Sequence, residues 1–103
     1  MKKIIDGKRY DTATATEIGS HHNGRGRSDF RHMSESLYRT PRGNWFLAGE
    51  GGAMTKYSRP CGDMTGGGEH IIPLSPENAR EWLERHELEE AIEKYFADEI
   101  EDA

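Results

Sequence analysis

The chain has 103 residues, which is enough for one domain with a modest core and too few for two. Hydrophobic residues make up 33% and charged residues 32%, so we expect a small core and a very polar surface. Neither a membrane-spanning run nor a signal-peptide core is visible, which predicts a cytoplasmic protein. The single cysteine, Cys61, excludes an internal disulfide and agrees with a reducing compartment.

Charge is distributed unevenly along the chain. The net charge is -5, but residues 1–76 hold eleven Lys and Arg against eight Asp and Glu, whereas residues 77–103 hold three against eleven. A basic body with an acidic C-terminal end is typical of a protein that meets nucleic acid on one face or a basic partner on the other. An amphipathic helix with a solvated charged face explains the same pattern without any partner.

The first thirty residues predict a hairpin, a short helix and a loop. Residues 2–10 contain two short runs separated by the turn dipeptide Asp6-Gly7, which is typical of a small hairpin or of an edge strand with its turn. Residues 11–18 favour a short helix capped by their first aspartate, although its threonines weaken the prediction. Residues 21–29 are rich in glycine and arginine and predict an exposed loop, after which Phe30 is expected to anchor the chain on the core.

The middle of the chain predicts the centre of a sheet. Residues 34–40 and 44–49 flank a Pro-Arg-Gly turn and should pair antiparallel. The second flank places apolar residues on both faces, which favours a central strand covered on both sides. Residues 49–52 are expected to leave regular structure, and residues 54–57 to form a helical turn.

The C-terminal part predicts a last strand and two helices. Residues 70–74 form the strand, with Pro73 near its end as an edge strand permits. Ser75-Pro76 supplies a helix cap and a first-turn proline. Two apolar sets then recur at helical spacing on opposite sides of one axis, so we infer a break near residues 85–87 and two helices.

These elements predict a single α+β domain, a mainly antiparallel sheet of three to five strands followed by two C-terminal helices. The sheet-rich body spans residues 1–74, the helical part residues 75–98 and the acidic tail residues 99–103.

The glycine-rich segment of residues 49–56 is similar to a phosphate loop but departs from it. Thr55 stands where such a loop has the glycine before its lysine, and Glu50 would repel phosphate. We therefore expect a surface that recognises a protein. Its predicted contact residues are Glu50, Lys56, Tyr57 and Arg59.

The acidic second helix is the other predicted contact surface. Carboxylates arrayed on a helix imitate the spaced charges of a nucleic-acid backbone and fit a groove lined by Lys and Arg. The residues concerned are Glu89, Glu90 and Glu93.

Two other kinds of site stay open. Arg25, Arg27 and Arg31 offer charge to single-stranded nucleic acid, as in a small nucleic-acid-binding accessory protein. A zinc or thiol-dependent enzyme would use His21, His22, Cys61 and His70, but these lack the close Cys and His pairs of a structural zinc site. We expect no cofactor.

Several segments, taken in order, resemble a group of small proteins from bacterial phages and mobile elements. They are KKIIDGKRYDT, LYRT, WFL, GEGGAMTKY, IIPL and AREW. The resemblance implies a context, because small acidic proteins of such elements are often inhibitors of host defence, including anti-CRISPR proteins. The leading interpretation is a non-enzymatic, protein-binding inhibitor of a nucleic-acid-handling effector, with self-association or a partner adding to a marginal stability.

Overall fold

The computed structural model describes residues 1–26, 29–61 and 64–103, with the backbone alone for residues 59–61 and 64–66. These residues form an α+β fold, as the sequence predicts. The strands are β1 (Lys2–Ile5), β2 (Lys8–Asp11), β3 (Thr16–His22), β4 (Met33–Arg39), β5 (Trp45–Gly51), β6 (Arg59–Cys61), β7 (Met64–Gly66) and β8 (Gly68–Leu74). The helices are α1 (Pro76–Arg85) and α2 (Glu89–Phe96), followed by a 3₁₀ turn at Ala97–Glu99.

A four-stranded antiparallel sheet organises the domain. Its strand order is β3-β4-β5-β8, and two further hairpins, β1-β2 and β6-β7, form separate two-stranded sheets. Leu37, Leu47 and Ile72 lie opposite one another on three adjacent strands. The predicted pairing across the Pro-Arg-Gly turn is therefore confirmed, and β8 is an edge strand, which is the position its proline requires.

Strand β5 is covered on both faces, as its sequence predicts. Trp45 and Leu47 pack against the two helices, whereas Phe46 packs against Tyr10 of the β1-β2 hairpin, with ring centroids 5.4 Å apart. All four side chains are at least 94% buried. The helices and the β1-β2 hairpin therefore lie on opposite faces of the sheet.

The helical part begins and breaks where the sequence predicts. The Ser75 hydroxyl accepts a hydrogen bond from the Asn78 amide at 3.1 Å, and Pro76 opens the first turn of α1. Glu87, with a φ of +56°, separates the helices and lets the second apolar set turn toward the sheet. Phe96 of α2 then stacks on Trp45, with centroids 5.2 Å apart.

Three predictions in the first thirty residues are wrong. Residues 11–18 form a turn and the start of β3 instead of a helix, because the Asp11 carboxylate accepts the Ala13 amide at 2.9 Å and the threonines favour an extended chain. The exposed loop is also shorter than predicted, since β3 continues to His22. Phe30 does not anchor the chain, because its side chain is 67% exposed.

The glycine-rich segment also differs from its prediction. Strand β5 continues to Gly51, so residues 49–51 stay in the sheet. Residues 54–57 form hydrogen-bonded turns and not a helical turn, with the Thr55 hydroxyl donating to the Gly52 carbonyl at 2.9 Å. The reason for glycine is steric, because a Cβ on Gly49 would collide with the ring of Tyr57.

Substituting Gly49 with alanine should lower the free energy of unfolding by about 3 kcal/mol, because Tyr57 cannot keep its place beside a methyl group. The matched control is Gly26→Ala, where the added Cβ meets open space. Urea denaturation of both variants measures the difference. Equal stabilities would contradict the packing described here.

Candidate binding surface

A buried carboxylate lies at the junction of the sheet, the turn after β5 and α1. Glu35 of β4 is 2% exposed. It accepts hydrogen bonds from the Tyr57 hydroxyl and, at 3.3 Å, from the Trp82 indole nitrogen, and its Oε2 lies 2.6 Å from the Lys56 ammonium. We call these four side chains the Glu35 network.

The network keeps Glu35 ionised and Tyr57 protonated. Burial alone would raise the pKa of Glu35, but hydrogen bonds from Lys56, Tyr57 and Trp82, together with the Lys56 charge, hold that pKa below its ordinary value. Burial, the hydrogen bond to Glu35 and the charge of Glu35 raise the pKa of the Tyr57 phenol far above its ordinary value. The Tyr57 hydroxyl therefore keeps the proton that it donates to the carboxylate.

Two histidines extend the network toward its exposed side. His21 lies opposite Glu35 on β3, and its ring stacks on His86 with centroids 3.9 Å apart. His86 also meets the edge of Trp82, with centroids 4.6 Å apart. Burial and the neighbouring His21 lower the pKa of His86, so this side chain favours its neutral form.

The predicted zinc ligands do not converge within the described residues. His21 and His70 lie in the same row across the sheet, separated by Glu35 and Gly49, while His22 follows His21 along the strand and accepts the Gly24 amide at 2.8 Å. The Cys61 side chain lies outside the described residues. Those that are described contain no group of three His, Cys, Asp or Glu side chains arranged to hold a metal ion.

The loop that the sequence predicts as a recognition surface mainly stabilises the fold. Tyr57 is fully buried, which corrects its assignment as a contact residue, and Lys56 is paired with Glu35. Glu50 follows Gly49 on β5 and therefore faces the opposite side of the sheet. The Arg59 side chain lies outside the described residues. Among the described side chains, Glu50, Lys56 and Tyr57 therefore do not form one surface.

The arginine loop is partly internally paired. Arg25 lies 3.2 Å from the Asp29 carboxylate, and the Arg31 amide donates to the same carboxylate at 2.8 Å. These hydrogen bonds lower the pKa of Asp29. Arg31 is exposed and Arg27 lies outside the described residues. Of the two arginines of this loop that the structure describes, Arg31 is thus the one whose side chain forms no ion pair with a described carboxylate.

The predicted acidic helix borders a groove. A cleft of about 590 Å³ runs between β3 and α2, and we call it the acidic groove. Ile18 lines its sheet side, and Leu88, Ala91 and Tyr95 line its helix side. Thr16 also lines it, and four glutamates and one lysine give the lining a net negative charge. They are Glu17, Glu87, Glu89, Glu90 and Lys94.

The acidic groove brings together two of the three predicted acidic contact residues. Glu89 and Glu90 are exposed at its rim, without an ion pair among the described residues. Glu93 is exposed too, but it borders a smaller depression with Ile92 and Ile100. The sequence does not predict the sheet side of the groove, because it favours a helix for the segment that contains Glu17 and Ile18.

One side of the acidic groove is an open sheet edge. Among the described strands β3 pairs with β4 alone, so its other side presents backbone amides and carbonyls outward. A β-bulge between Glu17 and Gly19 interrupts the strand there. The arrangement combines apolar contacts, carboxylates and backbone groups that can hydrogen-bond an added extended segment.

Comparisons of the chain with protein-family models, curated proteins and solved structures found no match. Among the described residues, no helix has both the length and the apolar character needed to cross a membrane. The chemistry of the surface is therefore argued from its own residues.

Glu35→Ala should lower the free energy of unfolding by about 2–4 kcal/mol, because it leaves the buried Tyr57 and Trp82 donors without their acceptor, whereas the half-exposed Lys56 ammonium stays solvated. Tyr57→Phe should cost about 1–3 kcal/mol, since it removes one donor to a charged group. Chemical denaturation provides the measurement. Glu69→Gln, on an exposed position of β8, is the control and should leave stability nearly unchanged.

Lowering the pH should reduce the stability of the protein in two steps. The folded-state pKa of His86 is depressed, so its contribution is complete above its ordinary value of 6.5 and is lost as the pH falls through the depressed value. The depressed pKa of Glu35 gives a second loss below its ordinary value of 4.5. Thermal denaturation across this range should show a smaller first step in His86→Phe. An unchanged first step would contradict the assignment to His86.

Proposed function

We propose that this protein is a non-enzymatic inhibitor that binds a nucleic-acid-handling effector through the acidic groove. The observation that carries the proposal is the coincidence of an open strand edge, an apolar lining and a rim of carboxylates in one cleft. A complementary ligand is an extended segment that carries Lys or Arg around an apolar side chain. Segments of this kind occur where proteins hold a nucleic-acid backbone.

The charge of α2 supports a basic partner. Glu89 and Glu93 are four residues apart, so they lie on the same side of the helix. Exposed carboxylates at this spacing attract a Lys- and Arg-lined surface and accelerate its association at low salt. The apolar side of α2 is occupied by Ile92 and Phe96, which are buried against the core, so the charged side remains for a partner.

The non-enzymatic part of the proposal is supported by the Glu35 network. Among the described side chains, its carboxylate is the clearest candidate for a general base. It is nevertheless buried and already bound by three donors. A general base must reach a substrate within hydrogen-bonding distance. Glu35 instead fixes Lys56, Tyr57 and Trp82 relative to the sheet.

The finer form of the proposal is an anti-CRISPR protein of a phage or mobile element. Its support is the resemblance of the ordered sequence segments, which gives the context, together with the acidic groove, which gives a mode of binding. Blocking the nucleic-acid groove of a guide-loaded nuclease would require no cofactor and no catalytic residue.

Inhibition of purified, guide-loaded CRISPR effectors tests the proposal directly. The wild-type chain should bind at least one effector in size-exclusion chromatography and reduce its cleavage of target DNA. Glu89→Lys combined with Glu90→Lys should weaken that inhibition by about tenfold or more, because both charges border the acidic groove. The absence of binding to every effector type tried would contradict the proposed function.

The matched control is Glu77→Lys, which changes the same kind of residue in the first turn of α1 but lies outside the acidic groove. It loses a similar favourable interaction with a helix N-terminus, of about 0.3–1 kcal/mol. Glu93→Lys then separates two mechanisms. Imitation of a nucleic-acid backbone by the whole face of α2 predicts a loss of inhibition, whereas docking in the groove alone predicts little change.

A further inference from the structure

A second cleft lies on the face of the sheet opposite the helices, where the turn of the β1-β2 hairpin approaches the turn between β4 and β5. Its volume is about 650 Å³, which lies in the range of small-ligand sites. Lys8 and Arg9 line it from the hairpin, and Arg42 lines it from the other turn. We call it the basic cleft.

The basic cleft concentrates positive charge in a protein whose net charge is negative. No Asp or Glu is among its lining residues. Its three cationic side chains are exposed, and none forms an ion pair with another described residue. The nearest acids along the chain are Asp6, two residues before Lys8, and Asp11, two residues after Arg9, and neither lines the cleft. Three neighbouring cations without a counter-charge repel one another, and an anionic ligand would relieve that repulsion.

Two hydrogen-bonded turns hold the backbone of the basic cleft in place. Asp6 and Gly7 both have positive φ, as a tight two-residue hairpin turn requires. In the other turn the Gly43 amide donates to the Thr40 carbonyl at 2.9 Å, and the Asn44 amide donates to the Thr40 hydroxyl at 3.0 Å. Asn44 also lines the cleft.

We propose that the basic cleft binds the phosphates of a single-stranded nucleic acid. A strand carries one negative charge per nucleotide, so it can meet Lys8, Arg9 and Arg42 together, whereas an isolated carboxylate would meet one. Arginine matches phosphate oxygens through paired N–H donors. The cleft is too small to enclose a duplex, and the described residues place no exposed aromatic ring on it, so the contacts are to the backbone and independent of base sequence.

The proposal is independent of the acidic groove, because the two sites lie on opposite faces of the sheet and share no residue. It assigns the strand to the hairpin turns, in place of the arginine loop that the sequence left open as an alternative.

Fluorescence anisotropy of a labelled oligothymidylate, titrated with the full chain at several salt concentrations, tests the proposal. Three phosphate contacts predict a slope of about -2 for the logarithm of the association constant against the logarithm of salt concentration. Arg42→Ala should weaken binding severalfold and reduce the slope by about 0.7. Thermal denaturation should show that Arg42→Ala, an exposed change in a turn, leaves the fold intact.

The matched control is Arg25→Ala, which removes an arginine of the alternative loop that is paired with Asp29. It should leave the affinity and the slope unchanged. Absence of salt-dependent binding, or an equal loss in both variants, would overturn the proposal. Binding to anionic lipid vesicles without binding to the oligonucleotide would also overturn it, in favour of a membrane surface. None of these three outcomes depends on whether the acidic groove inhibits an effector.

Discussion

The Glu35 carboxylate is the constraint on which the rest of the structure depends. It joins β4 to the turn after β5 through Lys56 and Tyr57, and to α1 through Trp82. Because an unpaired buried charge is very unfavourable, the folded protein must place all three donors around the carboxylate. Gly49 is then required beside the Tyr57 ring, which explains why a glycine occurs within the central strand.

The same constraint determines which residues remain for binding. Lys56 and Tyr57 belong to the fold, so the glycine-rich segment supplies less surface than its polar sequence suggests. The sheet separates the remaining charge, with glutamates beside α2 on one face and Lys8, Arg9 and Arg42 on the other. A chain with a net charge of -5 thus presents two surfaces of opposite sign.

Local signals made much of the fold predictable. Ser75-Pro76 marks a helix start by its own chemistry, and the alternation in β5 identifies a strand covered on both faces. The threonine-rich segment before Ile18 was misjudged, because a turn at Asp11 and pairing with β4 outweighed its cap signal. Glu35 was overlooked, since its three donors come from residues 21, 22 and 47 positions away along the chain. The acidic helix was predictable, but its groove required knowledge of where β3 lies.

The open edge of β3 also bears on whether two molecules of this protein can pair through their sheets. An unprotected edge can pair with the same edge of a second molecule and begin aggregation. Here Glu17 and the glutamates of the acidic groove border that edge, and the β-bulge disrupts its regular spacing. Two identical edges would bring like charges together, whereas a basic segment would neutralise them. The carboxylates that discourage self-pairing at this edge are the same ones that the proposed function assigns to a partner of opposite charge.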